Sequence, residues 1–109
     1  MGDLLLRELC ALTRVTRRAV QGYEKEDLVK PSGKNKHGYL LYDKETVSKI
    51  SKIKILQDRG FSLKEIKSFD TMSGEELKFL LIQRIVVLKK KQIHLGSVIS
   101  EIQAIISEI

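Results

Sequence analysis

The chain has 109 residues, of which 42% are hydrophobic and 31% are charged. This composition suits one compact domain with an extended element attached, and it excludes a chain that is disordered throughout. One proline, seven glycines, three tyrosines and three phenylalanines favour helices over a β-sandwich. The first residues lack a signal peptide and no apolar run approaches the about 18 residues of a membrane span, so we expect a cytoplasmic protein without membrane contact. The single cysteine, Cys10, excludes an internal disulfide and a multi-thiolate zinc site within one chain.

The net charge is unevenly distributed. Residues 1–69 hold 15 basic and 9 acidic side chains, whereas residues 70–109 hold 5 of each. The net charge of +6 therefore belongs to the first part of the chain. Because basic groups release counterions from phosphate backbones, this asymmetry indicates one module that binds a polyanion and one neutral module.

The first two elements predict a helix-turn-helix. An apolar stripe at spacings of four and three predicts a helix over residues 4–12, and its members are Leu5, Leu9 and Leu12. The segment Thr13-Arg14-Val15 is a tight connection. Thr16 can cap a second helix over about Arg17–Lys25, since its hydroxyl can accept from a free N–H. Two short helices this close together are typical of DNA-binding domains.

A basic hairpin is predicted next. Pro31 prevents the preceding segment from continuing as a helix. Residues 32–38 are turn-rich and basic, and Tyr39–Tyr42 is composed of strand-forming residues. We expect two short strands around a basic loop, which is the form of a wing.

Two further helices follow the wing. Asp43 is the predicted cap of a helix from Lys44 to about Arg59, and its apolar stripe consists of Val47, Ile50, Ile53 and Leu56. Gly60 is expected to end it in a left-handed conformation. Ser62-Leu63-Lys64-Glu65 is a capping box that opens a short helix to about Phe69.

The last helix carries the clearest periodic pattern in the chain. A second capping box, Ser73 to Glu76, opens a helix over residues 74–109, which spans about 54 Å at about 1.5 Å per residue. Nine positions alternate steps of four and three without a break: Leu81, Ile85, Leu88, Gln92, Leu95, Ile99, Ile102, Ile106 and Ile109. We call these nine residues the seam. Eight of them are apolar, which predicts a coiled coil between two copies, with Gln92 as a register device.

In this order, the motifs resemble those of the MerR family of bacterial transcription regulators over residues 4–109. Gly38-Tyr39-Leu40-Leu41-Tyr42-Asp43 is similar to the family's Gly-Tyr-Arg-x-Tyr wing motif. Gly60-Phe61-Ser62-Leu63-Lys64-Glu65-Ile66 resembles its Gly-Phe-x-Leu-x-Glu-Ile element. Val15-Thr16-Arg17-Arg18-Ala19-Val20, followed by Tyr23-Glu24, resembles its recognition helix.

The resemblance implies a mainly α fold. It consists of a winged helix-turn-helix domain over residues 1–70 and a dimerisation helix over residues 74–109, paired as an antiparallel coiled coil. It also implies a homodimer that binds pseudo-palindromic promoter DNA and bends and untwists it for RNA polymerase. Neither a cofactor nor a catalytic centre is expected.

Several residues depart from the family pattern. Gln21-Gly22 stands where Arg-Tyr is usual, Leu40 replaces the wing arginine, and Arg14 and Asp27 occupy turn positions where glycine is common. Arg14, Arg17, Lys34 and Lys36 are then left to contact phosphate. The alternative is a dimeric protein-interaction adaptor whose DNA-binding surface has decayed. A sensor domain beyond Ile109, its inducer, the operator and the sign of regulation stay open.

The predicted DNA-binding residues rest on the charge pattern of the sequence and on the family resemblance. In this prediction one of Arg17 and Arg18 reaches base edges and the other a phosphate, with either order open, and the wing residues reach the neighbouring backbone. The set is Arg14, Thr16, Arg17, Arg18, Gln21, Tyr23, Lys34, Lys36, His37 and Tyr39. For Tyr23 a place in the core is an equal alternative. Tyr42 and Cys10 are assigned to the core, and His94 to the surface or the dimer interface.

Overall fold

The computed structural model describes residues 2–109, which form three short strands and five helices. The strands are β1 Leu4–Leu5, β2 Gly33–Lys34 and β3 Leu40–Tyr42. The helices are α1 Leu6–Thr13, α2 Arg17–Lys25, α3 Lys44–Asp58, α4 Leu63–Phe69 and α5 Gly74–Glu108. The chain divides into two compact units, residues 1–71 and residues 72–109. The predicted fold class, a mainly helical winged helix-turn-helix with a long C-terminal helix, is confirmed.

The start of the chain differs from the prediction. Leu4 and Leu5 are not helical: they pair antiparallel with Tyr42 and Leu41 of β3. Helix α1 begins only at Leu6, and the Glu8 carboxylate accepts the Leu5 backbone N–H at 2.8 Å. The local spacing of leucines could not reveal this strand, because its partner lies almost forty residues further along the chain.

The predicted apolar stripe of the first helix is also wrong in part. Leu9 is fully buried, but Leu12 is 62% exposed. Since Leu5 belongs to β1, the stripe has only two members inside an eight-residue helix. Helix α1 therefore packs through Leu9 and leaves an apolar side chain on the surface.

The sheet has the order β1-β3-β2, with antiparallel pairing throughout. Strands β2 and β3 form the predicted hairpin, with Gly33 opposite Leu41 and Lys34 opposite Leu40. The Ser32 backbone N–H donates to the Leu41 carbonyl at 2.8 Å and extends this pairing. Because β1 adds a third strand, the base of the wing is attached to the start of α1.

The core of the first unit combines all of its helices with the sheet. Its buried apolar side chains are Leu9, Val15, Val20, Tyr23, Leu28, Val29, Tyr42, Val47, Ile50, Ile53, Phe61 and Ile66. Phe61 and Phe69 meet edge-on, with ring centroids 5.5 Å apart, which fixes α4 against the turn before it. Cys10 is half-buried rather than enclosed in this core.

The predicted helix caps of α3 and α4 are confirmed. The Asp43 carboxylate accepts the Thr46 backbone N–H at 2.8 Å. Ser62 and Glu65 form the reciprocal capping box, with bonds of 3.0 and 3.1 Å. Gly60 adopts a φ of 93°, the left-handed conformation expected after α3.

The second unit consists of α5. Ser73 and Glu76 form its capping box, and the helix continues for 35 residues without a buried side chain. Within residues 2–109 no helix is both long and apolar enough to cross a membrane.

Candidate nucleic-acid interface

A tight turn orients α2 against α1. Arg14 ends α1 in a left-handed conformation, with φ of 59°, and its N–H donates to the Cys10 carbonyl at 2.9 Å. Thr16 then caps α2 by accepting the Ala19 N–H at 3.0 Å. Val15, between them, is buried. The turn therefore holds two helices at a fixed angle although it lacks the glycine that such a conformation favours.

Helix α2 separates a buried face from a basic face. Val20 and Tyr23 point into the core. Arg17, Arg18 and Gln21 are exposed. In residues 2–109 neither arginine forms an ion pair or a side-chain hydrogen bond. Both guanidinium groups lie on the exposed face of α2, and their charges have no counter-charge within residues 2–109. They can therefore bind an anionic surface.

Tyr23 belongs to the core rather than to the basic face. It is 2% exposed, and its hydroxyl donates to Gln57 Oε1 of α3 at 2.7 Å. Burial, followed by the negative charge of Asp58, raises the pKa of Tyr23. Because the hydroxyl already has a partner, Tyr23 holds α2 on α3 and is not available to contact a phosphate.

The wing loop is ordered by Asn35. Its side-chain oxygen accepts the backbone N–H groups of His37 and Tyr39 at 2.9 and 3.0 Å. Gly38 turns the chain with φ of 82°. The basic side chains Lys34 and Lys36 are exposed, as is His37. The wing thus presents its charges on a defined turn rather than on a loose loop.

Tyr39 and Tyr42 have opposite roles in the wing. Tyr39 is 64% exposed, and its ring centroid lies 6.5 Å from that of His37. Tyr42 is fully buried, as predicted, and its hydroxyl donates to the Glu24 carboxylate at 2.6 Å. Burial and then this hydrogen bond strongly raise the pKa of Tyr42. The contact joins the wing to the last turn of α2, so the two basic elements are positioned together.

One basic residue of this surface was not predicted from the sequence. Arg7, in the first turn of α1, lines a cavity of about 600 Å³ together with Arg17 and Tyr39. The sequence shows a charge at this position but not its neighbours, because they come from α2 and from the wing.

Helix α5 presents the seam to solvent within its own unit. Ile85, Ile99 and Ile102 are each about half exposed, and Ile106 is 63% exposed. Gln92 and His94 are also exposed. Exposed apolar surface of this extent is typical of an interaction site.

A helix-turn-helix, a basic α2 face and an ordered basic wing define a DNA-binding transcription regulator of the winged helix-turn-helix class. Residues 5–71 match the family model described as MerR HTH family regulatory protein. The chain belongs to the MerR family, as the sequence motifs indicated.

Solved structures of this family share the fold. A MerR-family transcriptional regulator from Bacillus cereus is 30% identical, with a TM-score of 0.72, and the match covers 91% of this chain and 76% of that one. MtaN, the N-terminus of the Bacillus subtilis multidrug transporter activator, is 24% identical, with a TM-score of 0.75 and coverage of 92% and 94%. HiNmlR, a MerR-family regulator lacking the sensor domain and bound to promoter DNA, is 19% identical, with a TM-score of 0.66 and coverage of 97% and 89%. The last two similarities concern the fold alone.

Curated relatives match about half of the chain. The nodulation protein NolA of Bradyrhizobium sp. (strain NC92) is 37% identical over 60 residues, which are 55% of this chain and 25% of NolA. NolA of Bradyrhizobium elkanii is 38% identical over 60 residues, or 55% and 27% of the two chains. The chain therefore spans about a quarter of the length of these relatives.

Proposed function

We propose that this protein is a homodimeric transcription regulator that binds pseudo-palindromic promoter DNA in the cytoplasm. The observation that carries the proposal is a pair of exposed arginines, Arg17 and Arg18, at the start of α2 beside a basic wing, which have no ion-pair partner among residues 2–109. Family membership supports it, as does the fold shared with a regulator bound to promoter DNA.

The proposed DNA contacts come from two elements. Helix α2 enters the major groove, and the wing follows the neighbouring phosphates. The contacting residues are Arg14, Thr16, Arg17, Arg18, Gln21, Lys34, Lys36, His37 and Tyr39. All of them except Arg14 and Thr16 lie on α2 or the wing hairpin, and the Tyr42–Glu24 hydrogen bond connects these elements.

The proposed dimer forms through α5. Two antiparallel copies would bury the eight apolar seam residues, each contributing roughly 1.5–3 kcal/mol when fully buried. Gln92 would be the one polar position of the seam and would favour one register over the others. A two-fold dimer explains why a two-fold DNA site is expected.

The proposed mechanism is deformation of the promoter. The recognition helix offers few long side chains to base edges, since Gln21 and Gly22 stand beside the two arginines. Such a protein gains specificity by bending and untwisting DNA whose sequence makes the deformation less costly. RNA polymerase is the partner that would use the realigned promoter. No catalytic step is part of this proposal.

The test is selection of bound duplexes from random sequence, followed by gel-shift titration of the selected duplex. Replacing both Arg17 and Arg18 by Ala should abolish specific binding. The matched control replaces two exposed lysines of α4, Lys64 and Lys67, and should bind nearly as the wild type does. Undiminished binding by the arginine variant, or the absence of any enriched pseudo-palindrome, would overturn the assignment.

A second candidate is a dimeric adaptor that binds protein. The exposed apolar side chain Leu40 favours it, since it lines the same cavity as Arg17 and Tyr39 on the surface that would face DNA. A steep loss of DNA affinity with rising salt counts phosphate contacts and would argue against it. Lack of DNA binding even at low salt would favour it.

A further inference from the structure

We propose that Arg7 is an additional DNA contact, and that Arg7 and Arg17 together hold one backbone phosphate in a notch between α1, α2 and the wing. The notch has a volume of about 600 Å³, and its lining includes Leu5, Leu6, Arg7, Arg17, Tyr39 and Leu40. We call it the Arg7 notch. This inference rests on the proposed function.

The fold places Arg7 there through β1. Leu5 pairs with Leu41 of β3, so the first turn of α1 begins beside the wing. Glu8 is directed back to the Leu5 N–H, at 2.8 Å, and caps the helix. Arg7 is exposed and lines the notch. The strand that the sequence did not predict is therefore what brings a third basic element to the DNA-binding surface.

The electrostatics of the notch favour an anion. Two guanidinium groups line it, and no acidic residue does. Among residues 2–109 neither Arg7 nor Arg17 has an ion-pair or side-chain hydrogen-bond partner. Like charges brought together without a counter-charge repel each other, and a bound phosphate would relieve this repulsion.

The composition of the notch favours a backbone phosphate over a base. Arginine forks bind phosphate oxygens in two parallel hydrogen bonds, and the exposed Tyr39 hydroxyl adds a possible donor. The apolar part, Leu5, Leu6 and Leu40, offers no side-chain hydrogen-bond donor or acceptor that could pair with a base edge. The same geometry favours the backbone over a base edge as the contact of Arg17, a choice that the sequence alone left open.

Arg7 also explains how the wing functions without its usual arginine. Leu40 stands at the position where the family motif has Arg, and it lines the same notch as Arg7. The guanidinium group of Arg7, which belongs to α1, can occupy the space that a wing arginine would otherwise reach. The charge at this place is thus retained, although it comes from another element.

The experiment measures DNA affinity of the full chain by fluorescence anisotropy over a series of salt concentrations. Two duplexes serve as probes: the selected one and one of scrambled sequence. Arg7→Ala should weaken binding to both by a similar factor, on the order of tenfold, because it removes a charged hydrogen bond. The salt slope should fall by about 0.9 for each phosphate that the variant no longer neutralises.

Two further variants separate charge from structure. In the Arg7→Ala background, Leu40→Arg should restore much of the affinity and slope, because it returns a cation to the notch. Lys67→Ala, which removes one positive charge outside the notch, should leave the slope unchanged. Circular dichroism on each variant confirms that the fold is retained.

The outcomes distinguish the two proposals. If the wild type binds with a steep salt slope and Arg7→Ala keeps that slope, the notch proposal is wrong and the proposed function stands. If affinity falls only for the selected duplex, Arg7 reads sequence and the phosphate assignment is overturned. If the wild type binds neither duplex, both proposals fail.

Discussion

The Tyr42 hydroxyl donates a 2.6 Å hydrogen bond to the Glu24 carboxylate, and this contact joins β3 of the wing to the last turn of α2. Both elements are short, with three residues in β3 and nine in α2. The bond is partly buried, so water competes for it less than for a surface contact. It links the wing directly to the recognition helix.

Tyr42→Phe should therefore lower the free energy of unfolding by about 1–2 kcal/mol, since the Glu24 carboxylate loses a charge-assisted partner. Urea denaturation without DNA measures this change. Tyr39→Phe is the matched control, because Tyr39 is exposed, and it should unfold as the wild type does. Equal stability of the two variants would show that the bond contributes nothing.

Gly22 and Gly60 should respond to alanine in opposite directions. A Cβ would meet no atom within 4 Å at either position, so backbone conformation alone decides. Gly22 lies inside α2, where alanine is favoured by about 1 kcal/mol, and Gly22→Ala should raise stability. Gly60 has a φ of 93°, and Gly60→Ala should lower stability by about 1–2 kcal/mol. Thermal unfolding curves that shift in the same direction would contradict this.

Ile99→Asp should separate the proposed dimer into monomers at micromolar concentration, because it would bury a charge in the seam. Analytical ultracentrifugation measures the mass. Ile93→Asp is the control: Ile93 lies on the same helix outside the seam and is 72% exposed. A wild type that is monomeric, or an Ile99 variant that stays dimeric, would contradict the proposal that the seam is the dimer interface.

The cap of α3 should weaken in acid. The hydrogen bond from the Thr46 N–H lowers the pKa of Asp43 below its ordinary 3.8. A lowered folded pKa gives stability that is present above the unfolded value and is lost as the pH falls through the folded value. Asp43→Asn keeps an accepting oxygen, and its amide does not titrate. The variant should therefore lose less stability than the wild type between pH 5 and pH 2, and the difference should be about the contribution of the cap. Asp3→Asn, a change at an exposed residue outside any helix, should leave the wild-type pH dependence intact.

The elements that the sequence predicted well are those decided by neighbouring residues. Thr16, Asp43, Ser62 and Ser73 each cap a helix through a bond to a residue three positions later. Such bonds depend on local spacing, so the starts of α2, α3, α4 and α5 were predictable.

The features that escaped prediction depend on distant residues. Strand β1 exists because Leu4 lies opposite Tyr42, and the Arg7 notch exists because β1 brings α1 to the wing. The sequence is equally compatible with Tyr23 in the core and at the surface. The hydrogen bond from its hydroxyl to Gln57, a residue of another helix, assigns it to the core. The predicted basic face of α2 is exposed. The neighbours of Arg17 come from α1 and from the wing, so the sequence alone does not show them.

If α5 pairs two copies as proposed, the regulatory output of the protein depends on its own abundance. Self-association follows mass action, so the fraction of paired chains rises with the number of copies in the cell. A scarce chain would leave its isoleucines open to proteases and to aggregation, and would be cleared before it accumulated. There would then be a threshold rate of synthesis. Below it little regulator would survive, and above it each new copy would find a partner.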